Sequence, residues 1–360
     1  MTSVVVVGAG IVGAACAYYA ARAGLSVVVV DKGGAAGGTT GAGEGNILLS
    51  DKEPGPELEL ALRSRALWAA LEVTGFEWEP KGGLVVASSA AELEALSGLV
   101  AAQRAAGVVA EQVDPLEHEP HLNPSLAGGF LYPQDAQVQP MLAAARLLAA
   151  SGADFRPNTT VVGLAPGEVT TTAGVLRADA IVNAAGVWAG SLPGLELPIL
   201  ARRGFILVTG RTAPGLVRHK VYAAGYVADV GSSSEDLQTS PVVEATRAGT
   251  ILIGASRERV GFDATFSLPV LRALAAGAVR LFPALGQVPV IRVYRGFRPY
   301  SPDHLPVIGP DPRLPGLYHA TGHEGAGVGL APATGEAIAA LITGAAPAVA
   351  LHPFSPARFL

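Results

Sequence analysis

Four valines at positions 4–7, a glycine-dominated stretch, a run of small apolar residues, and valines again at 27–30 set the opening rhythm of the chain. A β-branched run without polar interruption predicts a strand covered on both faces. Residues 8–13 predict a turn, residues 14–23 a helix closed by Gly24, and residues 27–30 a second buried strand ending at Asp31. Together these form a βαβ unit of about thirty residues. Residues 33–45 are rich in Gly, Ala and Thr and too poor in large side chains to predict an element of their own. Helices are predicted over 54–71, 91–106 and 141–150, and short strands over 84–87, 161–164 and 181–183. Five prolines (Pro115, Pro120, Pro124, Pro133 and Pro140) mark the passage before the third of those helices.

From residue 206 to about 293 the pattern changes. Strand-like runs at 205–208 and 251–254 alternate with loops, and 268–281 reads as a helix. A glycine-rich loop and helix then return over 322–341. The expected fold class is α/β: a Rossmann-like nucleotide-binding domain with a second α+β domain on an antiparallel or mixed sheet. Segments 1–50, 138–200 and 290–345 are expected to form the first domain and 51–137 with 201–289 the second, leaving 346–360 as a C-terminal tail. No internal repeat or low-complexity linker interrupts the chain.

Composition narrows the function classes. Half of the 360 residues are apolar and 15% are charged, which supports a packed core and excludes a disordered chain. The net charge of −5, with basic residues scattered singly, leaves no footprint for nucleic acid. Mean hydropathy is +0.39, but the most apolar stretch, the first thirty residues, contains Arg22 and is punctuated by glycines. A signal peptide or membrane span is therefore not expected. A single cysteine, Cys16, excludes a disulfide framework and a cysteine-ligated cluster, and a cytoplasmic location follows as the default. No metal site is expected, because His118 and His121 lack a third ligand. A Gly-x-Ser-x-Gly elbow and a Walker lysine are both missing.

Residues 8–13 (GAGIVG) carry the first chemical signal. They follow a strand and open a helix, the context in which a glycine fingerprint denotes a dinucleotide site. Gly8 permits the tight turn, Gly10 lets the backbone approach a pyrophosphate, and Gly13 lets the helix pack on the strand. The helix N-terminus at Ile11 and Val12 directs N–H donors at the anion. Asp31, 18 residues after Gly13, stands where a carboxylate meets the adenosine ribose, with Lys32 beside it. Its charge argues against a 2′-phosphate.

Three further segments identify the dinucleotide by resemblance. They are residues 38–46 (GTTGAGEGN), residues 181–188 (IVNAAGVW), and the series GFRP at 296–299, PDHLPVIG at 302–309 and GHEGAGVGLAP at 322–332. In this order, with the N-terminal fingerprint, they resemble the FAD-dependent D-amino-acid oxidase superfamily, which includes glycine oxidase, sarcosine oxidase and D-amino-acid dehydrogenases. The stretch from Gly45 and Asn46 to Glu57, with Ser256, Arg257 and Glu258, is similar to the β subunits of opine oxidase, D-hydroxyproline dehydrogenase and hydrogen cyanide synthase type enzymes.

The resemblance implies that Thr39 and Thr40 serve the pyrophosphate and the flavin edge, and that Val161 gives backbone contacts to the adenine. Ala185, Gly186, Trp188, Gly45 and Asn46 would lie beside the cofactor. Gly325, Ala326, Gly327, Val328, Gly329 and Leu330 would bring N–H groups to the pyrimidine end of the ring system. No cysteine lies near His304, where sarcosine oxidases carry a covalent link, so FAD would be held non-covalently. Arg298 would grip a substrate carboxylate with its planar fork, the alternative being a structural ion pair near Arg292 and Arg295. Glu324 stands where glycine oxidase has an arginine; it would meet a cationic substrate amine or remain a solvated loop carboxylate. Tyr222, Tyr226 and Tyr300 are candidates to close the pocket.

The implied activity is oxidation of an amino-acid C–N bond to an imine by hydride transfer to FAD, on a D-amino acid, glycine, sarcosine or a proline-like substrate. Two alternatives stay open. One is a nicotinamide-dependent dehydrogenase, since the strand at 316–321 with its glycine loop mimics a second nucleotide site. The other is a β subunit that passes electrons to a partner. Homo-oligomers are equally compatible with the sequence.

Overall fold

The computed structural model describes residues 2–359, side chains at 228 and 229 excepted; positions 1 and 360, at the ends of the expected domains, lie outside the described residues. Its first sheet has six strands in the order β18 (Val307–Pro310), β19 (Leu317–Thr321), β12 (Ala180–Asn183), β1 (Ser3–Val7), β2 (Ser26–Val30) and β8 (Asp154–Arg156). All neighbours are parallel except β18, which turns back antiparallel on β19. The strand β1 is central, in register with Ala180 at Val4 on one side and with Val27 on the other. Its valines are buried because helices cover one face and a three-stranded sheet the other. That small sheet comprises β9 (Val161–Ala165), β10 (Glu168–Thr171) and β11 (Gly174–Arg177).

Three helices build the opposite layer: α1 (Ile11–Arg22), α5 (Pro140–Ser151) and α8 (Gly327–Thr343). The small residues of α1 let α8 come close. A Cβ on Gly335 would lie 2.6 Å from the Ala15 backbone, so this helix crossing tolerates glycine only. Outside α8 runs α2 (Pro56–Ala69). Within α8, Pro332 has no N–H for the carbonyl of Val328, four residues earlier. The Trp68 indole on α2 donates to that carbonyl instead, at 3.1 Å.

The second sheet is mixed and has eight strands. Its order is β17 (Val290–Tyr300), β13 (Leu200–Thr209), β16 (Ile251–Arg257), β15 (Gln238–Ala245), β14 (Lys220–Ala223), β4 (Gly83–Ala87), β6 (Gly128–Tyr132) and β5 (Glu111–Val113). Only β14 and β4 run parallel. Against it α7 (Leu268–Leu281) buries Val270, Leu274, Ala278 and Leu281, the stripe of an amphipathic helix. Three helices, α3 (Ala90–Ala105), α4 (Pro115–His118) and α6 (Ala224–Val230), complete this half, and a two-stranded ladder of β3 (Asn46–Ile47) and β7 (Ala136–Gln137) lies between the halves.

Two expectations need correction. Residues 290–300 belong to the second sheet and not with the nucleotide-binding segments, because β17 pairs with β13 along its whole length. The Gly/Ala/Thr-rich stretch does form structure, a 3-10 turn over Thr39–Ala42 fixed by contacts distant in sequence. The tail folds back: Phe354 is buried and Arg358 pairs with Asp303. Among the described residues no helix is long and apolar enough to cross a membrane.

Candidate active site

A cavity of about 270 Å³ runs along the seam between the two sheets. At one end the turn after β1 delivers Gly8, Gly10, Ile11 and Val12 to its wall. Gly8 adopts φ +112°, and a Cβ there would lie 2.3 Å from the carbonyl oxygen of Ala184. The turn is thus open to glycine alone. Gly13 faces inward, its missing Cβ making room for the Gly8 carbonyl, so it shapes the turn without lining the cavity. Gly10 caps α1 with no side chain of its own; the Ile11 N–H is taken by Thr40, which leaves the following first-turn N–H groups for the cavity.

Asp31 lines the same end and is fixed by two backbone donors, Ala9 N–H to Oδ2 and Gly33 N–H to Oδ1, both at 2.8 Å. Lys32 stacks its ammonium over the Trp188 ring at 3.4 Å. The walls continue through Val161, Ala185, Gly186 and Trp188. Thr39 and Thr40 are there too, with their hydroxyls already engaged. Thr39 donates to the Phe297 carbonyl at 2.6 Å, and Thr40 Oγ1 accepts the Ile11 N–H at 3.0 Å. They tie the turn to β17 and to α1.

At the other end, three glycines in adjacent strands open space. A Cβ on Gly296 of β17 would meet Ala42 at 2.8 Å, one on Gly204 of β13 would meet the Arg298 guanidinium at 2.3 Å, and one on Gly254 of β16 would meet Glu44 Oε1 at 2.6 Å. Arg298 lies across Gly204 and donates to the Ser256 carbonyl at 2.8 Å. It faces the cavity while protein surrounds it elsewhere, and this burial, reinforced by the Arg257 charge, pushes the guanidinium down to about 10. Arg298 remains cationic at neutral pH and makes no ion pair with Asp or Glu among the described residues.

Glu324 also lines this end, with a left-handed backbone at φ +46°. Its Oε1 accepts from Arg202 Nη1 at 2.6 Å, and His304 Nδ1 stands 3.5 Å from Oε2. Burial works to raise this carboxyl, but His304 and the charges of Arg202, Arg257 and Arg298 outweigh it and hold the group at about 2. Glu324 is therefore neither a solvated carboxylate nor one short of a cation. Of the three tyrosines, Tyr226 lines the cavity, its ring under the Arg257 guanidinium at 4.6 Å. Tyr222 is turned into the core toward Ser50 and Asp135, and Tyr300 packs on His304 and Arg202.

Gly325, Gly327 and Val328 line the cavity at the start of α8, whose first turn also lacks a side-chain cap. Ala326, Gly329 and Leu330 border a smaller void of about 10 Å³ behind it, which Asn46, Tyr226 and Gly325 also line. Gly45 lines neither; a Cβ there would collide with the Val138 carbonyl, where two backbone segments cross.

Sequence reasoning missed the cluster around Glu44. Its Oε2 accepts from Asn46 Nδ2 at 3.1 Å and lies 3.8 Å from Lys220 Nζ, which pairs with Glu244 at 2.5 Å and donates to Asn46 Oδ1. These partners come from β3, β14 and β15, and no local pattern links them.

Two helix N-termini, a glycine turn that admits an anion and a carboxylate at the end of β2 define a dinucleotide-binding site along the seam. The chain belongs to the FAD dependent oxidoreductase family, whose profile matches residues 3–341, and FAD is its cofactor. It is 31% identical to the hydrogen cyanide synthase subunit HcnC of Pseudomonas aeruginosa, over 99% of this chain and 96% of that one. The crystal structure of glycine oxidase from Geobacillus kaustophilus superposes with a TM-score of 0.88 at 29% identity, covering 100% of both chains. That of L-proline dehydrogenase from P. horikoshii gives 0.89 at 25% identity, over 99% of this chain and 97% of that one. This membership removes the nicotinamide alternative.

Proposed function

We propose that the protein oxidises an amino acid at the bond between its α-carbon and nitrogen, giving an imine that water hydrolyses. The observation that carries this reading is Arg298, a cation on the cavity wall whose fork is laid open by Gly204. A planar guanidinium in a low-dielectric wall matches a carboxylate bidentately. The glycine oxidases and the L-proline dehydrogenase to which the chain is similar are named for amino-acid substrates.

FAD, when bound, accepts the hydride from the carbon that carries nitrogen. The chain does the rest. Gly8 to Val12 and the α1 N-terminus would hold the pyrophosphate and Asp31 the ribose, and Val161 and Trp188 would flank the adenosine end. Gly325 to Val328, with the N-terminal end of α8, sit where negative charge develops on reduction. Arg298 fixes the substrate carboxylate, so that the reacting C–H bond is presented at a near-attack distance of roughly 3–3.5 Å. Tyr226 and Ile206 supply apolar surface that excludes water. In the absence of a cysteine near His304, FAD is held without a covalent link.

The test is the visible spectrum of the holoenzyme, recorded anaerobically before and after addition of glycine, N-methylglycine, D-amino acids and proline derivatives. Bleaching of the flavin by one of them is the expected result. A flavin that stays oxidised with all of them overturns the amino-acid reading. A second reading, that the reduced enzyme hands its electrons to a partner subunit, is favoured by the likeness to a protein named as a subunit. Slow reoxidation in air-saturated buffer, against fast reoxidation by an artificial acceptor, distinguishes it.

A further inference from the structure

The cavity wall that carries Arg298 also holds a carboxylate with one unsatisfied oxygen. Glu44 lines the cavity, with its side chain only 6% exposed. One of its oxygens is engaged by Asn46 and lies near Lys220, whereas Oε1 is shielded from solvent and accepts no hydrogen bond. Leaving a buried carboxylate oxygen without a donor is costly. The position is nonetheless built for this side chain, since only glycine at 254 makes room for Oε1.

Lys220 cannot satisfy Glu44 alone. It sits between two carboxylates, at 2.5 Å from Glu244 and 3.8 Å from Glu44, with all three side chains at most 6% exposed. One ammonium shared by two carboxylates leaves Glu44 without a full charge partner, and burial raises its carboxyl above the ordinary value against the pull of Lys220. Glu324, the other carboxylate on this wall, already has Arg202. The missing donor therefore has to come from the cavity's occupant.

We propose that Glu44 is the residue that binds the substrate's amino group. This rests on the amino-acid reading above and narrows it. With Arg298 on the carboxylate and Glu44 on the nitrogen, the site is complementary to a zwitterion. It selects α-amino acids whose nitrogen is a basic primary or secondary amine, and rejects N-acyl derivatives and hydroxy acids of the same shape. The terminal torsion of a glutamate is soft, so a small rotation brings an oxygen to the incoming N–H. Burial pushes both groups toward their neutral forms, Glu44 up and Arg298 down, and an ammonium and a carboxylate arriving together would offset that on both ends.

The experiment uses the FAD-loaded protein and two probes of one carbon skeleton, 2-aminoisobutyrate and isobutyrate, followed by perturbation of the flavin absorbance. The first has no hydrogen on its α-carbon and so is not consumed. Wild-type protein is expected to bind the amine-bearing probe about 30-fold more tightly or better, the range of one charge-assisted hydrogen bond. Glu44→Gln is expected to lose that preference while its affinity for isobutyrate stays within about threefold, a margin below one charge-assisted hydrogen bond, and Glu44→Asp should recover part of it. If Glu44→Gln fails to retain FAD, Gly254→Ala, which displaces Oε1 without changing its charge, should lower the preference in the same direction. A preference that survives both substitutions, or a wild-type protein that binds neither probe or does not distinguish them, overturns the assignment. Loss of FAD affinity in Glu44→Gln with the amine preference intact would assign the orphan oxygen to the cofactor and overturn it as well. Where wild-type flavin is bleached by amino acids yet the probes are not distinguished, Glu44 alone is wrong; where no amino acid bleaches it, the underlying reading is.

Discussion

Arg298 and Asp135 show how much one side chain decides. Replacing Arg298 by Ala leaves a carboxylate without its charge partner in a buried wall, a loss of about 2–5 kcal/mol, or roughly 30- to 4000-fold in kcat/KM. Both a raised KM and a slower anaerobic reduction of the flavin are expected; unchanged kinetics would remove Arg298 from the site. Asp135 is fully buried behind the cavity, accepting from the Leu49 N–H at 2.8 Å and from the Ser50 hydroxyl. Burial pushes its carboxyl from 3.8 up to about 7 against those two bonds. The folded state thus keeps a proton that the unfolded chain releases, so stability falls as pH rises from about 4 to about 7. Asp135→Asn keeps an acceptor for Leu49 and removes the titration. Urea midpoints should show the variant gaining roughly 2 kcal/mol on the wild type between about pH 5 and pH 8; parallel curves would show that Asp135 does not hold its proton. Legibility at this scale depends on sequence distance. Gly8, Gly10 and Asp31 could be read because their spacing is set within one βαβ unit, even though Gly8 owes its conformation to close contact with Ala184. Glu44 could not, because Lys220 and Glu244 reach it only through the packing of another sheet.

Among the elements, α8 depends on its neighbour. Its proline would break the ladder at Val328, and the indole of Trp68 repairs the break. Trp68→Phe keeps most of the apolar volume but strands a buried carbonyl, and should cost about 1–3 kcal/mol in chemical denaturation, with the loss absent if Pro332 is first replaced by Ala. Additive losses in that double variant would refute the coupling. The longer helices and the valine strands were legible from their apolar runs, whereas α4 and α6 are too short to show a period. The strand β17 was not, since Gly296, Pro299 and three arginines interrupt its alternation. What makes it a strand is its ladder with β13, and the residues that hide it are those that shape the cavity.

Across the whole molecule, the cavity wall draws on both sheets, so FAD bound there would contact both. Removing FAD should lower the unfolding midpoint by about 5 °C, taking about 3–4 kcal/mol of binding linkage over a chain of this size. Hydrogen exchange should rise in β13 and β17 as well as around β1; a change confined to the first sheet would show that the seam holds without its ligand. The class of fold and the nucleotide end were readable from the first thirty residues and the order of the motifs, whereas the second sheet's strand order was set by non-local pairing that no short window contains.

The position of β1 has a consequence for synthesis. It is made first, yet it lies between β2 and β12, and the wall it begins is finished only at Gly325 to Val328. At roughly 5–20 residues per second, the N-terminal βαβ unit leaves the ribosome many seconds before its second neighbour strand exists. Through that interval a row of valines has an open edge, exposed to any other nascent chain. A ribosome stalled before α8 should therefore display a chain that retains no FAD and that chaperones still hold, whereas one stalled after it should release a chain already able to take up its cofactor.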